Sequence, residues 1–168
     1  LNANEAPALP VQVFKAEKKD ITTSKTYPTI LKAVEQVDII ARVSGTLEEK
    51  NYTEGQFVKK GTLLYKIEPD TYLANLNSKK ANFIKAKKDF DRAKSLIASK
   101  SISPQQFDDY TYQFESSKAA LDEAQIQYNY TNVTSPIDGI AGIKKQDIGD
   151  LVGTTATNST LVTITNTN

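Results

Sequence analysis

Between Thr71 and Tyr130 the apolar residues fall on a seven-residue repeat. Leu76, Phe83, Phe90 and Ile97 form one stripe with Ala86 and Ala93 between them; Phe107, Phe114, Leu121 and Tyr128 form a second, accompanied by Tyr110 and Ala124. Apolar positions at this spacing mark helices that each bury one narrow face against one neighbour. Two such stripes parted by a short polar stretch predict an antiparallel helical hairpin. Ser103-Pro104-Gln105-Gln106 supplies an N-cap, a proline at the first helical position and a glutamine at the third, which starts the second helix and leaves Ser99 to Ile102 as the turn. Arms of about 28 residues would reach roughly 40 Å at ~1.5 Å per residue. The alternative, two helices folded back on the rest of the chain, would call for a wider apolar face than either stripe offers.

Outside the hairpin the pattern becomes that of strands, and it repeats. Val43-Ser44-Gly45-Thr46-Leu47 and Ile137-Asp138-Gly139-Ile140-Ala141 open two segments of matched spacing. Gly45 is followed ten residues later by Gly55 and thirteen later by Val58, and Gly139 at the same intervals by Gly149 and Val152. Each segment ends in a β-type run, Leu63 to Ile67 and Leu161 to Ile164. Glycines at such offsets between alternating apolar residues, Gly45, Gly55, Gly139 and Gly149, are expected at turns, as is Gly61. Neither half can cover both of its faces, so the two are expected to pair into one barrel or sandwich that the chain leaves after Ile67 and rejoins near Val133.

Composition narrows the chemistry. The 168 residues contain no Cys, His, Met or Trp. A disulfide framework, a thiolate metal site and a His-assisted nucleophile are therefore excluded, and no metal site or cofactor is expected. The remaining acid or base candidates are carboxylates such as Asp138, Asp147 and Asp150, which fall at turns where Asp is common anyway, so no catalytic residue is assigned. No apolar run approaches the ~18 residues of a membrane span. The polar start without Met reads as a processed or engineered N-terminus.

A formal net charge of +1 argues against a nucleic-acid partner. That figure conceals an asymmetry. From Asp70 to Lys100 there are eight Lys or Arg and three Asp or Glu, a balance of +5; from Ser103 to Thr131 there are one Lys and five Asp or Glu, a balance of −4. Solvated faces explain most charge on helices, yet a basic arm and an acidic arm can also orient hairpins packed side by side.

A β-domain written as two half-motifs resembles the biotinyl/lipoyl carrier fold, and Ile67-Glu68-Pro69-Asp70-Thr71 is similar to that family's modification hairpin. Thr71 stands where a carrier has its lysine and the chain runs on into a helix, so a carrier is the distant alternative; Lys66 reads as an exposed strand residue. A lipoyl-like domain interrupted there by a coiled coil resembles the periplasmic adaptors, or membrane fusion proteins, of resistance-nodulation-division tripartite efflux pumps. The similarity rests on Arg42-Val43-Ser44-Gly45, on Glu54 to Gly61 and on Thr134 to Gly139. Arg92, Leu96 and Ser103 match the family's Arg-Leu-Ser tip motif.

The resemblance implies an α+β chain. Residues 37–68 and 132–165 would form the split lipoyl-like domain, 69–131 the hairpin with its tip near 99–103, and 1–36 an extended remnant of the adjoining β-barrel and membrane-proximal parts. Val11 to Phe14 and Ile21 to Leu31 resemble incoming strands of those parts. The implied role is that of a non-enzymatic adaptor between an inner-membrane transporter and an outer-membrane channel that meets the tip. The protein would form a ring in the periplasm of a Gram-negative bacterium, anchored to the inner membrane. An adaptor of an ABC-type exporter is the alternative. The arms look shorter than in the best-known pump adaptors.

Overall fold

The chain divides into two units, Leu1–Leu31 and Lys32–Asn168; the computed structural model describes residues 9–28, 34–153 and 159–166. In the first unit residues 9–28 form no strand or helix, and Val11, Val13, Phe14 and Ile21 are exposed. The segments Val11 to Phe14 and from Ile21, which resemble incoming strands, form none over the described residues; without a ladder partner a lone strand leaves its backbone groups unpaired. Residues 1–8 and 29–33 lie outside the described part of that N-terminal segment.

In the second unit, alternating apolar and polar residues make eight described strands around two helices: β1 Glu35–Ile40, β2 Gly45–Lys50, β3 Phe57–Val58, β4 Leu63–Ile67, α1 Asp70–Ala98, α2 Pro104–Asn129, β5 Asn132–Thr134, β6 Gly139–Ala141, β7 Leu151–Val152 and β8 Thr160–Asn166. They form two four-stranded sheets of order β1-β8-β6-β3 and β5-β4-β2-β7. Replacing each strand of the first half by its counterpart in the second converts one sheet order into the other. The sequence repeat is thus a structural two-fold in which the halves exchange partners. β3 pairs with β6, setting Val58 opposite Gly139, and β2 pairs with β7, setting Gly45 opposite Val152. β4 and β8 share the same burial pattern, and their Leu64, Tyr65, Ile67, Leu161, Val162 and Ile164 fill the space between the sheets with Leu47.

Gly55, Gly61 and Gly149 have φ of 80°, 85° and 96°, a region that only glycine enters cheaply, and they make turns. Gly45 and Gly139, also expected at turns, instead open strands, and what they need there is space. A Cβ on Gly45 would meet Ile67 Cγ2 at 2.7 Å, and one on Gly139 would meet Thr165 O at 2.7 Å and Ile164 Cγ2 at 2.9 Å. The close neighbours are again equivalents in the two halves, the last apolar residues of β4 and β8.

α1 and α2, of 29 and 26 residues, pack along each other as an antiparallel hairpin. At ~1.5 Å per residue each spans about 40 Å. Leu76, Ala93 and Ala124 are buried in the seam, and Phe83, Phe90, Ile97, Phe107, Phe114, Leu121 and Tyr128 are half-buried. Four phenyl rings interleave from alternate helices: Phe114 lies 5.6 Å from Phe83 and 5.0 Å from Phe90, and Phe90 lies 5.7 Å from Phe107. Tyr110, expected beside this stripe, is exposed; Thr111 takes the inward place because its hydroxyl is satisfied within the helix by Phe107 O at 2.9 Å.

Candidate functional site

The hairpin turn is built by two caps. α1 ends with Ser101 N–H donating to Leu96 O and Lys100 N–H donating to Ile97 O, the paired bonds of a Schellman close, with Lys100 at φ 56° where glycine is usual. Ser99 Oγ donates to Leu96 O at 3.0 Å. α2 opens with a capping box, Gln106 N–H donating to Ser103 Oγ at 3.2 Å and Ser103 N–H donating to Gln106 Oε1 at 3.0 Å. These bonds occupy backbone groups that a helix end would otherwise leave to solvent, so the turn is held by its own side chains.

On this frame Arg92 and Leu96 sit one helical turn apart and project outward. Leu96 is 39% exposed and the Arg92 side chain 70%; the guanidinium donates to Asp89 Oδ1 at 2.5 Å. With Asp89 and Ala93 and with Tyr110 from α2 they line a shallow hollow on the side of the hairpin end. Ser103 is not part of that lining and serves as the α2 cap. The structure therefore brings Arg92 and Leu96 together, adds Tyr110, which the heptad reading had assigned to the seam, and leaves Ser103 next to the turn. Such a hollow offers an apolar floor, an aromatic edge and a charge-assisted donor to an incoming helix pair.

The opposite end of the hairpin is tied to the β-domain. Tyr72 Oη donates to Ser44 O at 2.7 Å, the Arg42 guanidinium lies 4.1 Å above the Tyr130 ring, and buried Thr131 accepts at its carbonyl from Ile67 N–H at 2.8 Å. The first two contacts join the helix ends to the segment Arg42 to Ser44, and the third joins the end of α2 to β4. The sequence marks the segment Arg42 to Ser44 as part of the internal repeat and of a resemblance but not as the seat of the hairpin, because cation–π and tyrosine–carbonyl pairs between distant residues leave no periodic trace.

The turn carboxylates and the β-domain's Lys66 and Tyr65 are engaged in structure. Asp138 accepts from Lys60 N–H at 2.7 Å, Asp150 accepts from Asp147 N–H at 2.8 Å, and Asp147 pairs with Lys144. Lys66 stands on β4 between Glu48 and Glu49, 3.2 Å from each; bonds to these carboxylates raise its pKa, and Lys66 in turn lowers that of Glu49. Tyr65 Oη and Tyr52 Oη share a buried hydrogen bond of 2.8 Å, and burial first, then that bond, pushes the Tyr65 phenol far up, so it stays neutral. Among the described residues no group of three carboxylates converges in a way that could hold a metal ion.

Residues 35–165 match the family described as RND MFP, barrel-sandwich hybrid domain. The chain is 33% identical to the multidrug resistance protein MexA of Pseudomonas aeruginosa over 142 residues, which are 84% of this chain and 37% of that relative. It is 32% identical to the solvent efflux pump periplasmic linker SrpA of Pseudomonas putida, with 97% of this chain and 42% of that relative covered. Among solved structures, a MacA–MexA chimeric protein containing the Pseudomonas aeruginosa MexA α-hairpin domain superposes with a TM-score of 0.77 at 36% identity, over 80% of this chain and 47% of that one. A putative efflux transporter from Bacteroides eggerthii gives 0.75 at 27% identity, over 82% and 41%. The chain thus spans about two-fifths of the length of the curated relatives it matches.

Proposed function

This chain belongs to the RND membrane fusion protein family through its barrel-sandwich hybrid domain, and from that premise we propose that it is the connecting part of a periplasmic adaptor in a tripartite efflux pump. The adaptor links an inner-membrane transporter to an outer-membrane channel, and copies of it close into a ring around the conduit. It works in the periplasm of a Gram-negative bacterium, anchored to the inner membrane, and performs no catalysis. An RND transporter is the preferred partner over an ABC exporter, because the matching family is the RND one.

The observation that carries this reading is the hairpin end: a self-capped turn at the end of a roughly 40 Å rod, with Arg92 and Leu96 exposed beside Tyr110. A rod with a rigid, partly apolar end suits docking far from its β-domain. Arg92→Asp, introduced into the protein at its natural length, is expected to abolish pump-dependent resistance and channel crosslinking. The fold should survive, because an exposed charge change costs within about 0.5 kcal/mol. Wild-type export and crosslinking in that variant would refute docking at this surface.

A further inference from the structure

We propose that Asn51 is a site of N-linked glycosylation, its side-chain amide taking an oligosaccharide from a lipid pyrophosphate carrier. This rests on the periplasmic location proposed above, the side of the inner membrane on which such carriers are used, and it adds a modification to the surface of the β-domain.

Four segments have an asparagine followed two residues later by threonine with no proline between: Asn51-Tyr52-Thr53, Asn129-Tyr130-Thr131, Asn132-Val133-Thr134 and Asn158-Ser159-Thr160. This is the acceptor pattern for oligosaccharyl transfer, in which the hydroxyl is read and the carboxamide reacts. The structure separates the four. Thr131 is fully buried and its Oγ1 donates to Tyr128 O at 2.7 Å, which puts that hydroxyl out of an enzyme's reach. Asn132 to Thr134 form β5 and are laddered to β4. Asn158 lies outside the described residues. Asn51 to Thr53 belong to no helix or strand and link β2 to β3. There Tyr52 is turned inward, its Oη sharing the 2.8 Å hydrogen bond with Tyr65 Oη, and its two neighbours are put on the outside. Asn51 and Thr53 are both exposed. Thr53 is held through its backbone, its N–H donating to Gln56 Oε1 at 3.1 Å and its carbonyl accepting from Gln56 N–H at 3.0 Å, so its hydroxyl is left to the enzyme.

Charge adds a second distinction. Glu49 stands two residues before Asn51, where the other three segments have Gln127, Tyr130 and Ala156. Its side chain is 50% exposed, and Asn51 Nδ2 donates to its Oε2 at 3.4 Å, a long bond that is readily given up. An oligosaccharyltransferase groove with a cationic side chain for the Glu49 carboxylate and a subsite for the Thr53 hydroxyl would hold Asn51 between them. In the transfer Asn51 Nδ2 attacks the anomeric carbon of the first sugar and gives one proton to a base of the enzyme. The bond from that carbon to the pyrophosphate oxygen breaks, its electron pair leaves with the lipid pyrophosphate, and nothing is oxidised or reduced. The turn lies at the end of the β-domain away from the hairpin, since Asn51 N–H donates to Leu64 O and β4 runs from there towards α1. A sugar at Asn51 therefore leaves Arg92 and Leu96 uncovered.

The protein at its natural length, purified from the organism that makes it, is digested with trypsin and the peptides are sequenced by electron-transfer mass spectrometry. The peptide from Asn51 to Lys59 should carry the sugar mass on Asn51, and the peptide from Ala119 to Lys144, which holds Asn129 and Asn132, should carry none. Asn51→Gln and Thr53→Ala should each remove the sugar, Thr53→Ser should keep it, and Glu49→Gln should lower its occupancy several-fold. A bare Asn51 in the parent protein, sugar on Asn129 or Asn132 in its place, or full occupancy in Thr53→Ala overturns the proposal, and unchanged occupancy in Glu49→Gln overturns the part given to the carboxylate. A bare Asn51 in a protein that fractionates with the periplasm and loses resistance through Arg92→Asp would refute glycosylation alone. A glycosylated Asn51 with a silent Arg92→Asp would refute channel docking alone.

Discussion

The rings of Phe90 and Phe114 stack 5.0 Å apart and within 12° of parallel, one from each arm of the hairpin. Phe114 also meets Phe83 at 5.6 Å, and it is the ring of α2 held between two from α1. Truncating it therefore breaks two ring contacts, whereas truncating Phe83 breaks one. Phe114→Ala is expected to destabilise the hairpin by up to ~3 kcal/mol, with Phe83→Ala costing less, since half-buried rings forfeit less than core ones. Thermal unfolding followed at a helix wavelength measures both. Equal midpoints for the two variants would contradict the interleaved ladder.

The two strand glycines differ in what blocks a side chain. At Gly139 the obstacle includes the Thr165 carbonyl oxygen, 2.7 Å from an added Cβ and fixed by the β6–β8 ladder; at Gly45 it is the Ile67 Cγ2 methyl, also at 2.7 Å, and the nearest backbone atom, Glu68 O, is 3.8 Å away. Gly139→Ala is expected to destabilise the β-domain by ~2 kcal/mol or more, as overpacking against backbone does, and Gly45→Ala by about half of that. Denaturant midpoints would check the order, and a larger loss for Gly45→Ala would contradict it.

Lys100 occupies a left-handed position, φ 56°, that closes α1. A Cβ there costs roughly 1–2 kcal/mol, partly offset in a glycine variant by the greater freedom of its unfolded chain. Lys100→Gly should therefore stabilise the chain by ~0.5–1 kcal/mol and raise the unfolding midpoint of the hairpin. Lowered stability in calorimetry would show that the lysine side chain contributes more at the turn than its backbone conformation costs.

Where sequence reading succeeded, each feature had a period or an offset. The heptads gave both arms, the capping box at Ser103 gave the start of α2, and glycines ten residues apart gave the repeat. What it could not supply was the reason for each glycine. Gly55 and Gly149 serve conformation while Gly45 and Gly139 serve space, a difference set by which strand lies opposite. Tyr110 shows the same limit. One residue of slippage in a 3.6-residue helix moves a side chain from the seam to its edge, and only the satisfied hydroxyl of Thr111 reveals which residue turned inward. Residues 9–28 show a further one, since a resemblance to incoming strands does not bring with it the ladder that a strand needs.

The base of the hairpin leads to the last prediction. The rod leaves the β-domain through Glu68-Pro69 and returns through Tyr130-Thr131, and its direction is fixed there by the Tyr72 hydrogen bond to Ser44 O and by Arg42 over the Tyr130 ring. An exposed cation–π pair contributes about 0.5–1 kcal/mol and a neutral hydrogen bond about 1 kcal/mol. Both energies are small beside that of the domain core but comparable to thermal energy, so removing them should free the direction of the rod without unfolding either part. In the Tyr72→Phe, Arg42→Leu double variant, with spin labels at Glu54→Cys in the β-domain and Ser95→Cys near the hairpin end, the distance distribution should broaden while the unfolding midpoint falls by only a few degrees. Loss of one contact alone should broaden it less, because the other still holds one of the two helices. A distribution as narrow as that of the parent chain in the double variant would mean that the backbone bonds around Thr131, chiefly its carbonyl to Ile67 N–H, fix the angle by themselves.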